Sequence, residues 1–400
     1  MRILCVLPSV PSPLKVRAYN LLPRLAKRNE IHLVCVSSAA PTEEEMRDLS
    51  AYCKTVVHIP HSSLRGLMQC IKALPTRTPL RIAYCRSRAA KDAVRHAYEK
   101  VQPHVIFVER WRALQYAPEE AEVPVVCDPT DSMTLYNRRL MKAGTWWERL
   151  IAWEEYQKFL LYEGNLARRV DVSVFCSRVD MACVEQQAPE MQCELVPNGV
   201  DCQKHSFKDE NEEETDTVIF TGAFRYPPNR HAVRLFINRI LPLVRRRVPR
   251  VRFLAVGSGA NRWLRSYRTT PGFAAVDFVP DLRPYLAKAT VAVAPLTMGS
   301  GVSLKVLEAF ATGTAMVATS MPCGDLQVRN GEHLLIAEEA EGFAENISKL
   351  LRDAELRRTI AKRARRLVEE QYDWEIVSAK LHRVIEDAVE RKVEHGRLHR

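Results

Sequence analysis

Short apolar runs rich in β-branched residues alternate with helix-length segments along almost the whole chain, in two separate series. The first series starts with runs at Arg2 to Leu7 and Ile31 to Val36 around a helical segment at Arg17 to Lys27. It continues through Thr55 to Ile59, Val105 to Val108, Val123 to Cys127 and Val172 to Cys176, with helices expected at Ser87 to Val101 and Trp146 to Ala167. Runs that are apolar throughout, and not at every second position, are buried on both faces, which a parallel sheet covered by helices provides. The second series has strands at Val218 to Thr221, Arg252 to Val256, Val276 to Phe278, Val291 to Ala294 and Ala315 to Ala318. Its helices are expected at His231 to Val248, Leu282 to Lys288 and Ser303 to Thr312. Between the two lies DENEEETD, Asp209 to Asp216, which contains no core residue and reads as a solvated linker. The expectation is an α/β chain of two Rossmann-like parallel-sheet domains facing across a cleft, 1–200 and 218–370, joined by an acidic linker at 201–217. The rest of the chain, from Glu341 to Val393, reads as helical, with the basic stretch Arg357 to Arg366 as a solvated face.

Composition narrows the partners. Four hundred residues exceed one ordinary core, and 46% hydrophobic with 27% charged residues excludes a fibrous or wholly disordered chain. Lysine and arginine outnumber aspartate and glutamate, 59 − 48 = +11, so an anionic partner is expected: nucleic acid, a membrane surface or a phosphorylated small molecule. Aromatic residues do not interleave with the basic ones as a nucleic-acid surface needs, which argues against that partner. The eleven cysteines form no CxxC pair and the histidines no HExxH pattern, so a reducing, cytoplasmic setting and no metal are expected. Prolines interrupt the apolar start MRILCVLPSVPSP, which makes it a poor signal peptide and a good first strand. No window approaches the ~18 apolar residues of a membrane span, so membrane association would be peripheral, at the inner face of the cytoplasmic membrane. One segment could do this: LRGLMQCIKAL places Leu67, Met68, Ile71 and Leu74 on one helical face near Arg77, Arg81, Arg86 and Arg88. Ordinary core packing is the first reading of that face, and an anionic bilayer the second.

The stretch Ala294 to Thr319, APLTMGSGVSLKVLEAFATGTAMVAT, carries the chemistry. Strand, glycine loop and helix follow one another, so Gly299 and Gly301 let a ligand approach the backbone while the helix from Ser303 offers free N–H groups to an anion. Lys305 in the first turn opposes the helix dipole, a placement that a bound anion would explain. Glu308, three residues on along the same face, suits hydroxyl groups such as those of a ribose. The spacing is not that of a Walker loop. The bland alternative is a turn whose glycines serve the chain alone, with Lys305 and Glu308 as an exposed helix pair.

The strings VPNGVD (Val196 to Asp201), FTGAFRYPPN (Phe220 to Asn229), FLAVGSG (Phe253 to Gly259), DFVPDLRPYLAKATVAVAPL (Asp277 to Leu296) and GSGVSLKVLEAFATGTAMVAT together resemble the successive motifs of family 4 retaining glycosyltransferases of the GT-B fold. The YPPN and GSG…K…LEA variants are similar to bacterial exopolysaccharide transferases of the exosortase-associated type. The resemblance implies a nucleotide diphosphate sugar, UDP- or GDP-linked, as donor, with a lipid-linked or saccharide acceptor and neither cofactor nor metal. It implies that Lys305 and the N–H groups of Gly301, Val302 and Ser303 hold the diphosphate, Glu308 the ribose, Val279 and Leu282 the base, and Arg225 a phosphate. The family's first acid, eight residues before Glu308, is Ser300 here, so backbone groups of Gly299 to Gly301 would have to hold the donor sugar. The helix at 371–390 resembles the family's closing helix, which packs back on the first domain.

In the first domain, Lys15 and Arg17 lie on the loop after the first strand, as donor or acceptor contacts or as plain loop charges. Glu109, Asp128 and Asp131 end adjacent strands, where Glu109 or Asp131 could orient or deprotonate an acceptor hydroxyl. Helix capping by Asp128 or Asp131 is the other reading. A catalytically silent sugar-nucleotide binder and a basic RNA-binding protein are the competing functions.

Overall fold

The computed structural model of the protein describes all residues except Leu14, Gly144, 209–212, 299–302 and 399–400. Its contacts divide the chain into two compact units, Met1–Pro197 with Val377–Arg400, and Asn198–Ile376. The first holds seven strands: β1 (Arg2–Leu7), β2 (Glu30–Ser37), β3 (Cys53–Pro60), β4 (Val105–Glu109), β5 (Val125–Thr130), β6 (Val172–Phe175) and β7 (Cys193–Leu195). They form one sheet in the order β3-β2-β1-β4-β5-β6-β7, every pairing parallel. The second holds β8 (Glu214–Thr221), β9 (Arg252–Val256), β10 (Phe273–Val276), β11 (Ala289–Ala294), β12 (Met316–Ala318) and β13 (Leu335–Ile336), in the order β10-β9-β8-β11-β12-β13, also all parallel. Both are Rossmann-like sheets, and in each the strand order reverses beside the first strand, where open α/β sheets bind ligands.

The expected strands and helices are present, except that the strand expected at Val276 to Phe278 is Phe273–Val276 and ends before Asp277, whose carboxylate holds loop N–H groups; the other differences also have local causes. Strands β7 and β13 are three and two residues long, too short to show a period. The helix expected at His231 to Val248 begins at Pro227, whose ring suits a first helical turn, and passes through a π-helical turn at Phe236–Ile240. Pro242, just beyond, supplies no N–H and crowds the carbonyl four residues back, and the wider turn accommodates it. The described part of the acidic stretch is not a solvated linker. Glu213 pairs with buried Lys208 at 2.6 Å and with Arg357 at 3.0 Å. From Glu214 the chain is already strand, Glu214 meeting Arg252 of β9 at 2.7 Å. The second unit joins its two ends to each other: Val200 donates to the Tyr372 carbonyl and Trp374 to that of Val200. The closing helix runs Trp374–Leu398, longer than expected, and Lys392 on it pairs with Asp171 at 2.8 Å.

In the first unit a buried ion pair locks the reversal point. Arg17 Nε donates to Asp128 Oδ2 at 2.6 Å, and its remaining nitrogens donate to the carbonyls of Val196 and Pro197 at 2.9 and 3.0 Å. Both side chains are buried. Arg17, expected as a loop charge facing a ligand, is therefore a structural cation: its donors are spent on protein acceptors. Removing one partner of such a pair leaves an uncompensated buried charge. Arg17→Met is expected to lower the stability of this unit by about 3–5 kcal/mol in urea unfolding; a loss below about 1 kcal/mol, the size of an exposed pair, would refute the locking role.

Candidate active site

The second unit's reversal point lies between β8 and β11. At the end of β8 the chain turns through Gly222, and at the end of β9 through Gly257, two backbones so close that a Cβ on Gly257 would stand 2.1 Å from the Gly222 carbonyl oxygen. Both have φ in the range that favours glycine, +153° and +146°. The Gly222 loop is held by Asn229, whose Nδ2 donates to the Ala223 carbonyl at 2.9 Å. This brings the helix Pro227–Leu235 beside the helix Leu304–Thr312, which follows β11.

Lys305 projects from the first turn of the latter helix. Its Nζ lies 3.1 Å from Ser303 Oγ, 3.4 Å from Asn229 Oδ1 and 5.3 Å from the centre of the Phe220 ring. No acid occupies that first turn, and the Ser303 side chain makes no capping bond. The positive helix end thus meets a second positive charge with no described carboxylate bonded to either. Burial pushes the Lys305 ammonium down to about 8 and the Glu308 carboxyl up to about 7, each partly countered by the charge of the other. The Glu308 carboxylate accepts no hydrogen bond from any described residue. A half-buried lysine in the first turn of a half-buried helix start favours an anion; the neighbouring carboxyl can accept hydroxyl groups.

Arg225 is exposed on the loop after β8, and Val279 and Leu282 are half-buried against the core behind β11. Phe278, beside Val279, is 61% exposed. Asp277 fixes this corner by accepting from the N–H groups of Gly259, Asn261 and Phe278. Gly299, Ser300, Gly301 and Val302 lie outside the described residues. Asn229 and Phe220 were missed by sequence reasoning, although both stand in the FTGAFRYPPN string; the paired prolines that start the helix were the available signal.

The first unit arranges its candidates differently. Glu109 is buried at the end of β4, and burial, reinforced by Asp128, raises its pKa. Asp131 pairs with Arg110 at 3.3 Å and is partly exposed. Neither Asp128 nor Asp131 caps a helix, contrary to the capping reading. The helix Met133–Ala143 is capped instead by Ser132, whose Oγ accepts from the Leu135 N–H; Glu163 accepts from Ser132 Oγ and the Met133 N–H, and Asp180 from the Ser132 N–H. Arg110 and Thr130, the residues at these strand ends, have φ of +67° and +70°, a strained conformation for side chains of their size. Lys15 is exposed and borders a separate recess of about 340 Å³ at the ends of β1, β2 and β3.

The fold defines a class, the two-domain Rossmann-like α/β proteins of the GT-B type. Within it, residues 215–353 match the family model described as "Glycosyl transferases group 1". The phosphatidyl-myo-inositol mannosyltransferase of Mycolicibacterium smegmatis is 30% identical over 241 residues, 56% of this chain and 58% of that protein; the match thus spans under two thirds of that relative's length. Among solved structures, sucrose-phosphate synthase from Thermosynechococcus elongatus has a TM-score of 0.70 at 16% identity, over 97% of this chain and 99% of that one. HepE of Anabaena in complex with UDP gives 0.69 at 14% identity, over 97% and 100%. A complex of the same Anabaena protein with UDP-glucose gives 0.68 over the same spans. These structural likenesses speak for the fold.

The Lys305–Glu308 coupling has a direct test. In Glu308→Gln the ammonium loses the one charge that favours it, so a lysine-resolved NMR titration is expected to place Lys305 below about 8. A midpoint at the ordinary lysine value in the unaltered protein would show that burial does not act on it.

Proposed function

We propose that the protein is a glycosyltransferase that moves a hexose from a nucleotide diphosphate sugar, UDP- or GDP-linked, to a lipid-linked or saccharide acceptor. The observation that carries this reading is the partly buried Lys305–Glu308 pair at an uncapped helix start beside the β8/β11 reversal, inside the stretch that matches the glycosyltransferase family model. The UDP and UDP-glucose complexes of the Anabaena structure and the mannosyltransferase name of the mycobacterial relative support it. Retention of configuration, independence of metal, a role in cell-surface polysaccharide synthesis of the exosortase-associated kind, and work in the cytoplasm at a membrane's inner face belong to the same proposal.

In this reading Lys305 and the helix start hold the diphosphate. As the bond from the anomeric carbon to the diphosphate breaks, its electron pair stays with the leaving phosphate, and a cation already in place stabilises that growing charge without reorganising. Glu308 accepts from the ribose hydroxyls, and Val279 and Leu282 flank the base, with exposed Phe278 beside them. Arg225 reaches a phosphate from the facing loop. The sequence assignment of Gly299 to Val302 to the donor sugar and diphosphate falls outside the described residues. In the first unit Glu109 and Asp131 orient the acceptor hydroxyl, and Glu109, its pKa raised by burial, is the better proton acceptor. Lys15 serves the acceptor side.

Thermal stabilisation by UDP, GDP and ADP, each with and without magnesium, tests the donor site. One nucleotide at a hundredfold excess over its Kd is expected to stabilise the native state by about 2.7 kcal/mol, magnesium or not. Lys305→Ala is expected to abolish that shift and to lower transfer roughly 100-fold. Near-wild-type turnover in the variant would sink the assignment, and nucleotide binding with no transfer to any acceptor would favour the silent binder, which the serine at position 300 suggests. The pH dependence has a fixed sign. A diphosphate diester is favoured by a charged Lys305, so affinity for the nucleotide sugar falls as pH rises through about 8. Affinity that is flat from pH 6 to pH 9, measured by calorimetry, would contradict it.

A further inference from the structure

We propose that the first unit docks on an anionic bilayer through two helices that turn their apolar faces outward, with a basic recess between their ends seating lipid phosphate. This rests on the reading of a membrane-side enzyme above and names the surface and the lipid chemistry.

The helix Ser63–Ala73 packs through its small residues. A Cβ on Gly66 would meet the Tyr84 ring at 2.8 Å, and only Gly66 and Ala73 are buried. Leu64, Leu67, Met68, Ile71 and the following Leu74 are all more than half exposed, which overturns the core-packing reading of this face. Arg65 and Lys72 flank it. The helix Trp146–Gly164 is inverted outright: it buries Glu155, Lys158 and Glu163 together with Ala152 and Phe159. It exposes Trp146, Trp147, Leu150, Ile151, Trp153 and Leu161, the first two stacked with ring centres 3.5 Å apart. At 100° per residue these exposed positions fall on one half of the helix. Lys158 donates to the carbonyls of Ala73 and Leu74 at 2.8 and 3.2 Å, so the end of one helix is fastened to the flank of the other.

A recess of about 570 Å³ opens beside this junction, lined by Arg77, Arg86, Arg88, Lys91 and Arg169 with Leu161 at its apolar edge. Arg88 and Arg169 have acidic neighbours only at 3.9 and 3.8 Å, and no ion pair among the described residues engages Arg77, Arg86 or Lys91. Cations ringing a space that borders exposed leucine are the complement of a phosphate group at an apolar boundary. Tryptophans belong at that depth, since an indole has an apolar body and a polar edge. Charge complementarity selects an anionic lipid surface over a protein partner, and no described helix is long and apolar enough to cross the membrane, which leaves it lying on it.

The test is flotation of the full chain with vesicles of phosphatidylcholine alone and of phosphatidylcholine with phosphatidylglycerol, beside thermal stabilisation of the same samples by UDP, GDP and ADP. The chain is expected to float with the mixed vesicles and to remain below with the neutral ones. The pairs Leu67→Glu with Ile71→Glu, and Trp146→Ser with Trp147→Ser, should abolish flotation. Arg77→Ala and Arg86→Ala should each lower vesicle partitioning roughly fivefold and lessen its salt dependence. Nucleotide stabilisation should be unchanged in all of them. Wild-type protein that ignores mixed vesicles, or apolar variants that float as well as wild type, would overturn the docking surface. So would a concentration-dependent dimer dispersed by the tryptophan variants, which would make the face a contact between copies. Flotation without stabilisation by any of UDP, GDP and ADP would instead remove the donor-site reading and leave the docking surface standing.

Discussion

Withdrawing an ammonium from water beside the positive end of a helix is unfavourable twice over, and the second unit is arranged so that this happens at Lys305. Desolvation lowers the cost of losing its proton, and the helix start adds a partial charge of the same sign. The compensation within the protein is slight: a neighbouring carboxyl whose own burial pushes it toward neutrality, an amide oxygen at 3.4 Å and a hydroxyl at 3.1 Å. The Gly222–Gly257 contact, the Asn229 brace and the uncapped Ser303 all serve to hold this uncompensated geometry. A site that a diphosphate completes has this form, because the electrostatic work is done during folding and is available when charge develops on a leaving group.

The first unit shows what the same topology looks like when the protein supplies the counter-charge itself. Its reversal point also receives a cation from the helix after its first strand. That cation, Arg17, is bound by Asp128 at 2.6 Å and by two carbonyls, and its donors are taken up by the protein. Arg17 is short-bonded to a carboxylate and two carbonyls, whereas Lys305 has only a hydroxyl at 3.1 Å and an amide oxygen at 3.4 Å. Next to the Arg17 lock, the backbone strain at Arg110 and Thr130 presents Glu109 and Asp131 at the ends of β4 and β5, and such strain persists only where the surroundings over-determine it. The lock and the strained turns thus form one assembly.

The sequence made the strand alternation, the two parallel sheets and the Lys305–Glu308 helix legible, because continuous apolar runs and a glycine loop before a helix are local signals. Other features depend on partners remote in sequence. Glu213 and Glu214 look solvated until Lys208, Arg357 and Arg252 are placed around them. Arg17 looks like a loop charge until Asp128, 111 residues away, is folded against it. The helix Met133–Ala143 has a local cap in Ser132, but the carboxylates that hold this serine, Glu163 and Asp180, come from 31 and 48 residues away. Asn229 was within a recognised string yet carried no local sign that its amide would both brace the Gly222 loop and face Lys305.

The face at Leu64 to Leu74 is exposed, not packed in the core, for a related reason. An amphipathic period fixes which residues share a face, and says nothing of whether that face points inward. Here the small residues decide: Gly66 and Ala73 permit an approach to Tyr84 that leucine could not, so the bulky side is left outside. In the helix Trp146–Gly164 the same decision is made by charge. Glu163 is needed beneath the start of Met133–Ala143, Glu155 at the Leu80 N–H, and Lys158 at the carbonyls of Ala73 and Leu74, each a hydrogen-bonding task in the interior. Satisfying Glu155 and Glu163 on the inner side commits the tryptophans and leucines to the outer one, where Lys158 is covered by the end of the helix Ser63–Ala73. The protein thereby exposes an apolar surface that a freely soluble chain of this size has reason to avoid, and rims it with arginines. Part of the excess basic charge of the sequence is thus concentrated where apolar side chains meet water, an arrangement whose physical complement is the surface of an anionic membrane.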